Sequence, residues 1–251
     1  MATVILLRHG RTTANATGVL AGRTPGVRLD DTGREQAVRA AERLAAVPLA
    51  ALVSSPLERC RQTARSVLDA QGQARSARDG QPLEIVRERG ITECDYGEWQ
   101  GRELKDLAKE KLWSTVQTQP SAAQFPGGES MLAMQHRAVD AVRRHDAAVE
   151  AAHGPDAVWV AVSHGDIIKS VLADALGLHL DLFQRINVDP ASISMVRYTP
   201  SRPYVLASNT HAGDLAWLAP KPGARKPRRS RRTADAPVGG GAGPEPASGR
   251  A

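Results

Sequence analysis

Hydrophobic positions along this chain fall into short continuous runs, separated by longer stretches in which apolar residues recur at helical spacing. Val4-Ile5-Leu6-Leu7, Ala50-Ala51-Leu52-Val53, Leu83-Glu84-Ile85-Val86 and Val158-Trp159-Val160-Ala161-Val162-Ser163 each stop abruptly, which predicts short buried strands. Between the first two, Ala37, Ala40, Ala41, Leu44 and Ala45 follow the 3.6-residue period. Thr32-Gly33-Arg34-Glu35 has the pattern of a capping box that starts this helix, and Pro48 closes it. Pro56 suits the first turn of a second helix, whose apolar face is Leu57, Ala64, Val67 and Leu68, with a polar loop over 72–81. Residues 101–117 and 129–151 read as helices broken by Pro126-Gly127-Gly128. A further helix runs from His164 to about Leu176, and Ile193–Tyr198 and Tyr204–Ala207 read as late strands. The alternation predicts an α/β protein: a three-layer α/β/α sandwich on a mostly parallel sheet.

Composition sets bounds on this picture. A chain of 251 residues with 41% hydrophobic and 24% charged positions is long enough for one large α/β domain with a substantial core. No apolar run approaches the ~20 residues of a membrane span, and the opening run meets Arg8 too soon for a signal peptide. Cys60 and Cys94 make no disulfide framework, so a cytoplasmic location is expected.

The net charge of +6 belongs to one segment. Residues 220–251 hold eight Lys or Arg and two acids, while 1–219 balance to zero. The division expected is a 1–219 domain and a 220–251 basic Pro/Gly/Arg-rich tail, which lacks the large apolar residues needed to order itself. Two readings of that tail stand side by side. It is an arm for nucleic acid or an acidic partner, or it is a solvating segment with no specific partner.

Candidate chemistry concentrates at the ends of two strands. Arg8-His9-Gly10 follows the first apolar run and His164-Gly165-Asp166 follows the fourth; of seven histidines, only these two end an apolar run and precede a glycine. The carboxyl ends of strands are where open α/β sheets bind ligands. If the strands pack side by side, Arg8, His9, Asn15, Arg59, Glu93 and His164 converge. Two guanidiniums and two histidines make a strong dianion site, and a carboxyl among them supplies a proton to a leaving oxygen. That set suits phosphoryl transfer through a covalent phosphohistidine. Asp166 is the rival acid. His136, His145, His153 and His179 are expected at the surface or in turns, Arg61 on a different helix face from Arg59, and Trp99 and Trp159 in the core. The acids and histidines show no close-spaced metal-ligand set, and neither a metal nor another cofactor is expected.

These motifs resemble the histidine phosphatase superfamily in its phosphoglycerate-mutase-like branch, from about residue 3 to residue 214. The resemblance rests on Arg-His-Gly-x-Thr with Asn15, Ser-Ser-Pro-Leu-x-Arg-x-x-Gln-Thr-Ala, Glu-x-x-Tyr-Gly-x-Trp-x-Gly, Pro-Gly-Gly-Glu-Ser and Val-Ser-His-Gly, in that order. It implies that His9 is the nucleophile, that Arg8, Arg59 and His164 clamp the phosphoryl oxygens, and that Glu93 is general acid and then base. It further implies phosphate or substrate contacts from Asn15, Ala21, Gly22, Tyr96 and Gly165.

Mutases of this kind carry Glu-Ser after Arg-His-Gly, a lysine where Leu104 stands, and an arginine pair in a stretch that here, over 103–136, has no arginine. The missing cations favour a phosphatase of small phosphorylated metabolites, with phosphoglycerate-mutase-type transfer as the alternative. A non-catalytic binding or regulatory module is the reading from another class. Retention of both histidines, both arginines and Glu93 argues against it.

Overall fold

Strand β1 (Thr3–Arg8) is buried along its whole length because the sheet is covered on both faces. Val4 and Leu6 pack with Trp159, Ala161 and the helices α6 (Met131–His153) and α7 (Gly165–Ala175). Ile5 and Leu7 pack with Val160, Val162 and the opposite layer, α2 (Asp31–Leu44) and α3 (Glu58–Ser76). The period-2 alternation of a strand thus feeds two cores, one on each side. The computed structural model describes residues 2–76, 83–211, 238, 239 and 241.

Six strands form one sheet in the order β3 (Ile85–Arg87), β2 (Ala51–Ser54), β4 (Val158–Ser163), β1, β5 (Ile193–Tyr198), β6 (Pro203–Thr210). The first four are parallel, whereas β5 and β6 run antiparallel to their neighbours. The sandwich and its mostly parallel sheet agree with the sequence reading.

Element boundaries differ in instructive ways. The first long helix is capped by Asp30, whose carboxylate accepts from the Gly33 N–H at 2.7 Å, and not by Thr32. Thr32 instead accepts from the Arg11 guanidinium. A capping box does form, but at Thr12 and Asn15, opening a short helix α1 (Thr13–Thr17). The helix expected over 101–117 is two, α4 (Leu104–Leu107) and α5 (Lys111–Thr118); the break lets Leu107 and Val116 both reach the core. Helix α3 continues to Ser76, past the expected start of a loop at 72. Trp99 and Trp159 are buried as expected, and Arg61 is exposed. His145, expected at the surface, is half-buried against Trp159 and meets Glu88 at 2.9 Å.

Candidate active site

The register of the two central strands brings the two histidines together. Arg8 pairs with Ser163 across β1 and β4, so the next residues, His9 and His164, leave the sheet side by side. Their rings meet edge-on with centroids 5.2 Å apart. The His9 N–H bonds back to the Ser163 carbonyl at 3.0 Å, holding the turn to the sheet. Gly10 then lies against Gly33 so closely that a Cβ on either would strike backbone, which fixes the loop after His9 on the start of α2.

His9 is almost wholly buried and its two ring nitrogens have separate partners. Nδ1 lies 2.7 Å from the Gly10 carbonyl, and Nε2 accepts from Arg59 Nε at 3.2 Å. A nitrogen against a carbonyl must carry the proton, so Nε2 holds the lone pair. Burial, then Arg59 and Arg8, keeps this histidine well below its ordinary pKa. The ring is neutral, with its lone-pair nitrogen turned toward a guanidinium. His164 is likewise depressed by burial and by Arg59, and its Nε2 pairs with the Ser55 hydroxyl at 2.8 Å.

The arginines approach from different elements. Arg59, on the first turn of α3, also donates to the Gly22 carbonyl at 2.8 Å. Thr63, one turn on, donates to the Arg59 carbonyl and accepts from the Gly10 N–H, tying α3 to the His9 loop. Arg8 is fully buried; its Nη1 donates to the carbonyls of Val188 and Gly241, whereas Nε and Nη2 have no hydrogen-bond partner among the described residues. Two buried guanidinium donors without partners are costly unless an anion takes them.

Glu93 faces the same cavity. Its Oε1 accepts from the Cys94 N–H at 3.0 Å and its Oε2 stands 3.9 Å from His164 Nδ1. Burial, followed by the nearby Asp166 carboxylate, pushes its pKa up to about 7. Its backbone is gripped from two sides: Arg23 and Arg137 both donate to the Glu93 carbonyl, at 2.8 and 3.1 Å, and both bind the Glu129 carboxylate. Arg137 also takes the carbonyls of Gly90 and Thr92 at 2.7 Å each. Glu129 is the hub of this clamp.

The cavity in front of His9 is lined by Asn15, Ala21, Gly22, Arg59 and Glu93, together with Leu104. Asn15 is oriented by the Thr12 capping box. Gly165 begins α7 directly after His164. Tyr96, by contrast, is buried in the core against Phe125, and its hydroxyl donates to Asp166 at 2.7 Å. Asp166 is fully buried, also faces Lys169 at 3.6 Å, and lies behind the cavity wall. Cys60 is buried with its thiol raised to about 12, chiefly by desolvation, and Cys94 is raised as well, so both are protonated thiols. Among the described residues no group of three His, Cys, Asp or Glu side chains is arranged to hold a metal ion.

Three further residues border the cavity: Val238, Gly239 and Gly241. They belong to the 220–251 stretch whose composition read as disordered; its other residues lie outside the described ones. No periodicity points to them, and the only sequence sign is a valine ahead of three glycines.

The chain belongs to the histidine phosphatase superfamily (branch 1), whose family model matches residues 4–211. It is 33% identical over 183 residues to a glucosyl-3-phosphoglycerate phosphatase of Mycolicibacterium vanbaalenii, covering 71% of this chain and 76% of that one. It is 30% identical over 223 residues to a probable phosphoglycerate mutase of Yersinia enterocolitica, covering 87% and 95%. Among solved structures it superposes on a mycobacterial glucosyl-3-phosphoglycerate phosphatase in complex with VO3 with a TM-score of 0.71 and 25% identity, over 82% and 98% of the two chains.

Proposed function

We propose that this protein is a phosphomonoester phosphatase that works through a phosphohistidine on His9 Nε2. The observation that carries the reading is the state of His9: neutral, with its proton held on Nδ1 by the Gly10 carbonyl and its lone pair beside the Arg59 guanidinium. A phosphoryl group entering the cavity replaces that lone pair as the partner of Arg59. Its remaining charge is met by Arg8 Nε and Nη2 and by His164. Nε2 then bonds to phosphorus as the ester P–O bond breaks.

Glu93 supplies the proton to the departing alkoxide. With a pKa of about 7 it is substantially protonated at neutral pH, and in the second half-reaction the carboxylate takes a proton from the attacking water. Water cleaves the P–N bond, releases inorganic phosphate and restores neutral His9. Asp166 is poorly placed for either transfer, since Tyr96 and Lys169 engage it behind the cavity wall. Its contribution is to raise Glu93.

Hydrolysis is favoured over mutase transfer by Leu104, an apolar side chain in the cavity wall where the resembling mutases carry a lysine. The substrate on this reading is a small phosphorylated metabolite, and the compartment a reducing cytoplasm, which accords with two buried free thiols. The test is phosphate release from p-nitrophenyl phosphate and a monoester panel including 3-phosphoglycerate, with acid-labile, base-stable phosphoenzyme trapped after rapid quench. His9→Ala is expected to lose both the phosphoenzyme and turnover; a variant that still releases phosphate at near the wild-type rate removes the mechanism.

A further inference from the structure

Arg8, the most buried cation of the site, spends one of its donors on the carbonyl of Gly241, 233 residues away in the chain at 3.0 Å. Two residues earlier, the Gly239 N–H donates to Asp166 Oδ2 at 3.0 Å, sharing that oxygen with the Tyr96 hydroxyl. Before it, Val238 is 1% exposed and belongs to the main core cluster together with Leu20 and Tyr96. Gly239 has φ of +73°, and a Cβ there would stand 2.7 Å from Leu20 Cδ1, so the position accepts glycine alone without rearrangement. One buried apolar anchor, one left-handed glycine and two hydrogen bonds to buried charged side chains make a fitted contact.

Its consequence lies in the space that remains. With these three residues in place the cavity before His9 holds only about 30 Å3. That is room for about one or two waters, an order of magnitude below the ~300 Å3 at which metabolite pockets begin. A monoester with an organic leaving group does not fit beside Val238 and Gly241.

We propose that Val238, Gly239 and Gly241 form a resident plug of the active site, occupying the leaving-group side of the cavity until substrate displaces them. The proposal deepens the phosphatase reading and rests on it. Because plug and substrate exclude one another, the plugged fraction scales the apparent affinity without touching the chemical step. A tethered segment acts at an effective concentration on the order of 1 mM, so an intrinsic affinity near 0.1 mM keeps about nine chains in ten closed.

The experiment compares the full-length protein with full-length Val238→Asp and Gly239→Ile, neither of which alters a residue assigned to the reaction. Both variants are expected to lower KM for p-nitrophenyl phosphate about tenfold at unchanged kcat. A synthetic peptide spanning 234–244, added to Val238→Asp, is expected to raise KM again competitively, and the same peptide with aspartate at the valine position is not. Calorimetric titration of that peptide into Val238→Asp reads the contact without turnover. An unchanged KM in both variants, a fall in kcat at constant KM, or the absence of peptide binding each overturns the plug. Failure of every form to release phosphate, with peptide binding intact, overturns the phosphatase reading and leaves the plug standing.

Discussion

The floor and the roof of the cavity are built in opposite ways. The floor is sheet: Arg8, His9 and His164 sit at the ends of two parallel strands, set by a register that pairs Arg8 with Ser163. Its side chains are buried and anchored, His9 on the Gly10 carbonyl, Arg59 on that of Gly22, Arg8 on that of Val188 and His164 on the Ser55 hydroxyl. The roof is loop, short helix and tail: the 18–22 segment, Leu104 at the start of α4, and Val238, Gly239 and Gly241. The floor is pre-organised for a dianion whatever it is attached to; the 18–22 segment and Leu104 border the leaving-group side, which on our proposal the tail residues vacate when substrate binds. Changes to the floor therefore act on kcat, whereas changes to the roof act on KM and on the choice of ester.

The sharpest way to break this division is through Glu93, which joins the two. Glu93→Gln keeps the shape and the Cys94 contact but removes the transferable proton. On an alkyl phosphate, kcat is expected to drop about 10²–10⁴-fold. On p-nitrophenyl phosphate, whose leaving oxyanion needs little help, the loss is far smaller. In the wild type, cleavage of alkyl esters should decline as pH rises through about 7 and Glu93 ionises, a limb that the glutamine variant lacks. Equal losses on both esters would place the proton donor elsewhere, with Asp166 the next to test.

The same carboxyl has a stability signature. Its pKa rises from 4.5 in the unfolded chain to about 7 in the fold, so its favourable contribution is complete below pH 4.5 and is lost as pH climbs through 7. The stability of Glu93→Gln relative to wild type is expected to grow by up to about 3 kcal/mol between pH 4.5 and pH 8. Denaturant titrations at the two pH values measure it. A constant difference would mean that Glu93 is ionised throughout.

Next in size is the clamp behind Glu93. Arg137 holds the carbonyls of Gly90, Thr92 and Glu93 and the Glu129 carboxylate, which no single lysine amine can span. Arg137→Ala should destabilise the fold by ~2 kcal/mol, lowering Tm by about 4–8 °C. On the proposed mechanism it should also cut kcat about tenfold at nearly constant KM, because Glu93 is displaced and Arg8, His9 and Arg59 are not. Arg137→Lys should recover part of the stability and less of kcat. A change confined to Tm would make the clamp purely structural.

The sequence exposed the floor and hid the clamp and the roof for physical reasons. A strand buried on both faces writes itself as a continuous apolar run, and its abrupt end marks the site; His9 and His164 were legible by that rule. Arg137 lies in a helix where a solvent-facing cation and a clamp look alike, and its partners Gly90, Thr92 and Glu93 contribute carbonyls, which no side-chain pattern records. Tyr96 was expected at the substrate from its motif, yet its hydroxyl bonds Asp166 in the core. Val238 and Gly239 sit in a glycine-rich, arginine-rich stretch whose average composition argues against order. A fitted contact made by one valine and backbone atoms leaves composition unchanged. The Thr32 cap failed more simply: Asp30 starts the helix two residues earlier by accepting from the Gly33 N–H, and the Thr32 hydroxyl is taken by the Arg11 guanidinium.

The smallest expected effect concerns the roof alone. Leu104 is half-buried in the cavity wall, at the position where the resembling mutases carry a lysine. Leu104→Lys adds one partly exposed cation facing the leaving group and leaves the Arg8, His9 and Arg59 floor untouched. A charge contact of this kind is worth about 0.5–1 kcal/mol. KM for 3-phosphoglycerate, whose leaving group bears a carboxylate, should fall about threefold, while KM for p-nitrophenyl phosphate and both kcat values stay level. Steady-state kinetics on the two esters, with 2-phosphoglycerate followed in parallel, separate the outcomes. An equal shift on both esters would mean that residue 104 senses the phosphoryl group and belongs with the floor. Formation of 2-phosphoglycerate by the variant alone would show that one roof cation, holding the alcohol product beside phosphohistidine, decides between water and a second hydroxyl as the acceptor.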